Sequence, residues 1–308
     1  MFFPCPLLLP KKKRPFDSEM KARRFSLFDR LSLTAVLAAV AITLAVVLLT
    51  IAFFISGGKS ASSVLCSLAS SGSDGSSSGG YDATSMQLRA ILHYATTKVV
   101  PQQNLAEVRL AFNVLQEISP CNFLVFGLGH DSLMWAGLNP RGTTVFLEED
   151  PKWISTVLQR HPGLQALHVG YNTQLSEADD LLSVVRDDVE CSPGRVRLHS
   201  QPKCRLVLPG LPEEIYDKEW DMIMIDAPRG YFPEAPGRMG AIFTAAAIAQ
   251  QRVKPGKTHV FLHDVERRVE KMYAEEFLCM ANKVEGVGRL WHFMIPPATN
   301  TSRGSFCS

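Results

Sequence analysis

The sequence predicts an α/β domain, a mostly parallel sheet with helices on both faces, behind one N-terminal transmembrane helix. Three observations predict it. Short apolar runs alternate with helical stripes from residue 85 onward, and the central runs are apolar at every position, as strands covered on both faces must be. Residues 31–55 carry no charge over 25 positions, enough at about 1.5 Å per residue to cross about 30 Å of hydrocarbon. The 308 residues are 46% hydrophobic and 20% charged with 7 cysteines, which excludes a disordered tail, a fibre, a coiled coil and a small disulfide scaffold. The net charge of +2 hides an asymmetry: the first thirty residues hold eight Lys/Arg against three Asp/Glu, so the rest sums to about −3 and nucleic acid is not a favoured partner.

The chain divides into a basic tail (1–30), a signal anchor (31–55), a stem (56–84) and a domain (85–308). Eight basic residues precede the span and only Lys59 closely follows it, which keeps the tail cytosolic and the domain luminal. A cleaved signal peptide is the alternative, but its apolar core is shorter, about 7 to 15 residues. Eleven Ser and six Gly within 56–80 cannot bury enough surface to offset ordering entropy, so this segment reads as a flexible tether. The layout is that of a single-pass type II protein of the Golgi membrane, although a surface receptor begins similarly. In an oxidising lumen Cys191 and Cys204, flanking a loop-like segment, are expected to pair. Asn300-Thr301-Ser302 is a glycosylation acceptor.

Within the domain, Leu88, Ile91, Leu92, Ala95 and Val99 give the apolar face of a helix. A second helix starts at Asn104, with Glu107 three residues on. Strands follow at 121–126 and 143–147. Between them Gly127-Leu128-Gly129 turns into a helix over 131–138; after them Asp150 caps a helix started by Pro151. A strand over 165–169 precedes a helix with Leu181, Leu182 and Val185, for which Ser176 and Asp179 suggest a capping box. Strands at 222–225 and 258–262 enclose a small-residue helix over 241–250, and 290–295 is a late strand.

In open α/β sheets the ligand lies at the carboxyl ends of the strands. The residues there are Gly127, Gly129, Glu148, Asp226, His263 and Asp264. A glycine pair admits close backbone approach, and an acid about 20 residues later accepts ribose hydroxyls. Gly127, Gly129 and Glu148 therefore suggest a nucleoside cofactor, although a plain strand-to-helix turn also uses glycine. His130-Asp131-Ser132 lacks the third glycine of a dinucleotide site, and no phosphate-cradling loop is present. S-adenosyl-L-methionine remains. Asp226 and Asp264, on strands read as adjacent, suit a divalent metal cation that would activate a sugar hydroxyl; His263 as general base is the metal-free version, and helix capping the plain one. Arg229 and Arg238, in the Pro/Gly-rich loop 227–238, are the candidates for reading a carboxylate on the substrate, or form a surface ion pair near Glu234. The four tryptophans read as packing residues rather than sugar platforms.

Val125-Phe126-Gly127-Leu128-Gly129-His130-Asp131-Ser132 within 121–135, Phe146-Leu147-Glu148-Glu149-Asp150, Asp226-Ala227-Pro228 with Ala235-Pro236-Gly237-Arg238-Met239, and Val260-Phe261-Leu262-His263-Asp264 resemble a plant polysaccharide-biosynthesis family. This is the family of the glucuronic acid 4-O-methyltransferases that act on glucuronoxylan and arabinogalactan. The resemblance spans about 119–296 and implies a Rossmann-like class I methyltransferase fold in the Golgi. It also implies methyl transfer from S-adenosyl-L-methionine to O4 of glucuronic acid on a cell-wall polysaccharide. Residues 139–144 and 267–271 are closer to the arabinogalactan branch. A glucuronoxylan acceptor is the alternative, and so is a Golgi scaffold without turnover that supports xylan deposition in association with glycosyltransferases. A glycosyltransferase itself is a weaker reading, because no Asp-x-Asp motif is present.

Overall fold

The computed structural model describes residues 78–199, 202–298 and 305–307. The basic tail, the span at 31–55, most of the stem and the acceptor at Asn300 lie outside the described residues. Among the described residues no helix is long and apolar enough to cross a membrane.

Two helices, α1 (Ser78–Thr96) and α2 (Leu105–Ile118), lead into the sheet. The strands are β1 (Asn122–Phe126), β2 (Thr143–Glu148), β3 (Gln165–His168), β4 (Met222–Ile225), β5 (Thr258–Leu262), β6 (Lys283–Val287) and β7 (Leu290–Ile295). Between them stand α3 (Ser132–Leu138), α4 (Pro151–Arg160), α5 (Ala178–Asp187), α6 (Glu213–Asp217), α7 (Met239–Gln250) and α8 (Arg268–Tyr273). The strand order is β3-β2-β1-β4-β5-β7-β6. The first five strands run parallel, and β7 pairs antiparallel with both β5 and β6. Strand order reverses between β1 and β4, so their carboxyl ends open a crevice where a ligand fits an open α/β sheet.

The strand sequences account for the two cores. In β1, Leu124 and Phe126 join one buried cluster while Phe123 and Val125 join the other, because successive side chains leave opposite faces. Every residue of α7 is buried, which its run of alanines permits by allowing close approach to the sheet. The caps agree with the sequence at α2, where Asn104 and Glu107 form a capping box, and at α4, where Asp150 accepts from the Lys152 and Trp153 amides.

Three expectations are corrected. The apolar face of α1 points to solvent: Leu88, Ile91 and Leu92 are each more than 60% exposed, and Val99 lies beyond the helix end. Instead α1 seats Ala90 on Gly137 of α3, where a Cβ on the glycine would stand 3.1 Å from the Ala90 Cβ, and Tyr94 ties it down by donating its hydroxyl to the His130 carbonyl at 2.6 Å. The same helix begins at Ser78, inside the segment read as stem. The capping box before α5 is Gln174 with Glu177, two residues ahead of the pair expected, because a 3₁₀ turn over Leu175–Glu177 precedes the helix. The charged edge strand β6 carries no apolar alternation and was not foreseen. Cys191 and Cys204 do pair, and a second disulfide joins Cys279 to Cys307.

Candidate active site

The site begins with a turn that only glycine fits. Gly127 has φ of 120°, and a Cβ there would meet the Ala227 Cβ at 3.2 Å, so the turn after β1 lies hard against the end of β4. Its amide donates to the Leu147 carbonyl at 2.8 Å. Next, the Leu128 amide donates to Glu148 Oε2 at 3.1 Å, and the Asp150 amide donates to Oε1 at 3.0 Å. Burial raises the Glu148 carboxyl above its ordinary range, and these backbone donors work against the rise. Gly127 and Glu148 are thus tied to one place, while the Gly129 amide donates to Ser132 Oγ at 2.9 Å.

Across the crevice stands Asp226. Its Oδ2 accepts from the Gln103 amide at 3.1 Å, and its Oδ1 bonds His263 Nδ1 at 2.9 Å and accepts from Arg238 Nη2 at 3.1 Å. Burial opposes charge on Asp226, yet the His263 hydrogen bond and the Arg238 charge outweigh it and hold the carboxyl low, so Asp226 is ionised. A cavity of about 430 Å³ joins Glu148, Asp226 and Asp264, with Trp153, Tyr231 and Arg267 on its wall.

His263 is brought to Asp226 but not to the cavity. Its side chain is 1% exposed; one nitrogen meets Asp226, and the other, 3.7 Å from Glu107 Oε2, has no hydrogen bond. Burial alone lowers the imidazole pKa, but the bond to Asp226 and the charges of Asp226 and Asp264 dominate and raise it. The expected general base therefore acts only through Asp226.

Arg238 is corrected more strongly. It is 4% exposed and spends its guanidinium inside the chain: Nη1 donates to the His263 carbonyl at 2.8 Å, Nη2 to Asp226 and to Asp264 Oδ2 at 2.8 Å, and Nε to the Pro228 carbonyl at 3.3 Å. It bridges the ends of β4 and β5 and does not read a substrate carboxylate. Arg229 does reach the cavity mouth, where it pairs with Glu149 at 2.8 Å rather than with Glu234.

The same bridge answers the expectation of a metal. Asp226, His263 and Asp264 bring ligand atoms within 4.8 Å of one another. Arg238 Nη2 already lies between the two carboxylates, and Asp264 also pairs with Arg267 at 2.9 Å and Arg289 at 2.9 Å. A dication would meet three guanidinium charges there, so these residues as arranged do not fit one. Asp264 itself has φ of 61°, a left-handed backbone that three arginines hold in place.

Four residues escaped the sequence reading. Gln103 and Arg267 come from loops rather than strand ends. Asp131, after the glycine turn, is raised by burial and by the charge of Asp226, with Trp135 Nε1 donating to it at 2.8 Å. Tyr171 follows β3, and the strand-end rule applied there finds it. Its hydroxyl is buried without a partner and its pKa is raised, by burial and then by the carboxylates of Glu149 and Glu148. Trp153, read as packing, lines the cavity and donates Nε1 to the Leu128 carbonyl at 2.5 Å.

A model of the family described as IRX15/IRX15L/GXM matches residues 106–293. Arabinogalactan O-methyltransferase 1 of Arabidopsis thaliana is 59% identical over 235 residues, 76% of this chain and 81% of that protein. Arabinogalactan O-methyltransferase 2 of the same plant is 59% identical over 221 residues, 71% of this chain and 76% of that protein. Its Glucuronoxylan 4-O-methyltransferase 1 is 49% identical over 208 residues, 68% of this chain and 73% of that protein.

Proposed function

Because the chain belongs to the IRX15/IRX15L/GXM family, we propose that it methylates O4 of glucuronic acid on cell-wall polysaccharide, using S-adenosyl-L-methionine, with arabinogalactan before glucuronoxylan as acceptor. The sheet is then a Rossmann-like class I methyltransferase fold. The observation that carries the reading is one cavity lined by both Glu148, whose carboxylate takes the amide of Leu128 in the glycine turn, and an ionised Asp226. The order of acceptors is supported by identities of 59% to the arabinogalactan proteins and 49% to the glucuronoxylan protein.

S-adenosyl-L-methionine supplies an electrophilic methyl group on a sulfonium, without phosphates to bind. Gly127 and Gly129 let the backbone approach it, Glu148 takes the ribose hydroxyls, and Trp153 walls the cavity. Asp226 accepts the hydrogen bond of the sugar O4–H. As oxygen bonds the methyl carbon, the carbon–sulfur bond would break and leave a neutral thioether; the hydroxyl acidifies, and its proton passes to the carboxylate and then to water at the cavity mouth. His263 and Gln103 fix the aspartate, while Arg238 holds β4 and β5 in register beneath it. Arg267 and Arg229 present guanidinium groups at the mouth, and Arg267, beside Asp264, is the one that meets the uronate.

The same reading carries a Golgi type II arrangement with the domain luminal. The uncharged run at 31–55, its basic flank and two disulfides among the described residues support it. The deciding experiment is methyl transfer to de-methylated arabinogalactan and to glucuronoxylan side by side. Transfer favouring arabinogalactan is expected. Folded protein that binds the cofactor yet methylates neither polymer would refute these acceptors, and absence of cofactor binding would favour a scaffold.

A further inference from the structure

Beside the cavity lies a second hollow of about 590 Å³, between the loop after β4 and the start of α8. Tyr231 and Arg267 line both hollows, so the two lie side by side and share those residues as walls. The family reading leaves this hollow unassigned.

Its walls combine two kinds of surface. Tyr231 and Phe232 stand edge to face with ring centroids 5.1 Å apart, and Tyr231 is 67% exposed, a costly display of aromatic surface on a loop otherwise stiffened by prolines. Opposite them, Glu270 is wholly buried, yet both its carboxyl oxygens lack a hydrogen bond. Nη1 of Arg267 forms an ion pair with Glu270 Oε1 at 3.5 Å and is likewise buried without a hydrogen bond. Gly230 lies against the acid: a Cβ there would stand 2.9 Å from Glu270 Oε1, so the loop keeps its backbone close to that carboxyl. Burial raises the Glu270 pKa, against the charges of Arg238 and Arg267. Burying such groups without hydrogen bonds is costly, so they point to a ligand that supplies them.

Resting on the proposed transfer, we infer that this hollow is a subsite for the sugars next to the reacting glucuronic acid. A pyranose offers an apolar C–H face to Tyr231 and Phe232, and hydroxyls that give and take hydrogen bonds with Glu270 and Arg267. A glucuronic acid at Asp226 would then be held by its polymer as well as by its own carboxylate. The enzyme so built prefers polymer over a minimal acceptor.

The test compares kcat/KM for de-methylated arabinogalactan with that for a glucuronosyl disaccharide, in the full chain with both disulfides intact. Wild type should favour the polymer, and Phe232→Ala should cut that advantage about tenfold. Glu270→Gln, which keeps the shape beside Arg267 while removing the acid, should cut it as well. Equal turnover of both acceptors by wild type, or an unchanged polymer advantage in the two variants, overturns the subsite and leaves the transfer standing. No turnover of either acceptor by folded, cofactor-binding wild type overturns the transfer reading and the subsite with it.

Discussion

Asp226, His263 and Arg238 show how much a residue's role depends on what surrounds it. Replacing Asp226 by Asn keeps its shape and removes its charge, so transfer should fall at least about a hundredfold while cofactor affinity, measured by titration, stays within a few fold. Near-normal turnover would remove Asp226 from the chemistry. Arg238→Lys loses the fork that spans two buried carboxylates, and unfolding in urea should reveal a loss of about 3–5 kcal/mol. A surface arginine reading substrate would instead raise KM with stability unchanged. His263 titrates against Asp226, Asp264 and Glu107, with Arg238 opposing them. Its folded pKa is raised, so the stability it contributes is full below its ordinary value of 6.5 and is lost as pH rises through the folded value. The gap in stability between wild type and His263→Gln should therefore shrink from pH 6 towards alkaline pH. The strand-end rule made Glu148, Asp226, His263 and Asp264 legible because parallel strands deliver their last residues to one edge. Sequence could not reveal burial, so Arg238 in the loop 227–238 reads as a substrate contact and His263 as a general base.

At the scale of elements, periodicity located helices and central strands but not which way a face turns. The central strands were legible because apolar runs covered on both sides leave no choice of face. The helix α1 had a choice, and Ala90 against Gly137 decided it in favour of close backbone approach over burial of larger side chains. Each fully buried Leu or Ile is worth about 1.5–3 kcal/mol, so the exposed Leu88, Ile91 and Leu92 forgo that gain. Replacing all three by Ser should shift the unfolding free energy by no more than about 0.5 kcal/mol per site. A loss of several kcal/mol would show that this face is covered in solution. The edge strand β6 escaped the sequence reading for a related reason. Charged residues and a glycine keep an edge from pairing further, and they also erase the alternation by which a strand is recognised. Lys283 nevertheless contributes there, with its ammonium 4.0 Å from the Trp291 ring centre.

Across the whole molecule, chemistry and cross-linking occupy different places. The cavity draws its walls from the ends of β2, β4 and β5 and the loops around them, and none of the four paired cysteines lines it. Cys191 and Cys204, 13 residues apart, close a segment with little regular structure of its own, whose Val196 and Leu198 pack into the core beneath α7. Without the bridge that segment regains conformational freedom in the unfolded chain, at a cost of roughly 3 kcal/mol for a loop of this size. The Cys191→Ser, Cys204→Ser double variant should accordingly unfold at lower urea. At 25 °C, well inside its folded range, it should bind S-adenosyl-L-methionine as wild type does, because the crevice between β1 and β4 takes its shape from the sheet. Loss of cofactor affinity in a variant still folded by circular dichroism would mean that the bridged segment shapes the crevice through α7. In that case the disulfide would be part of the site's construction as well as of the domain's stability.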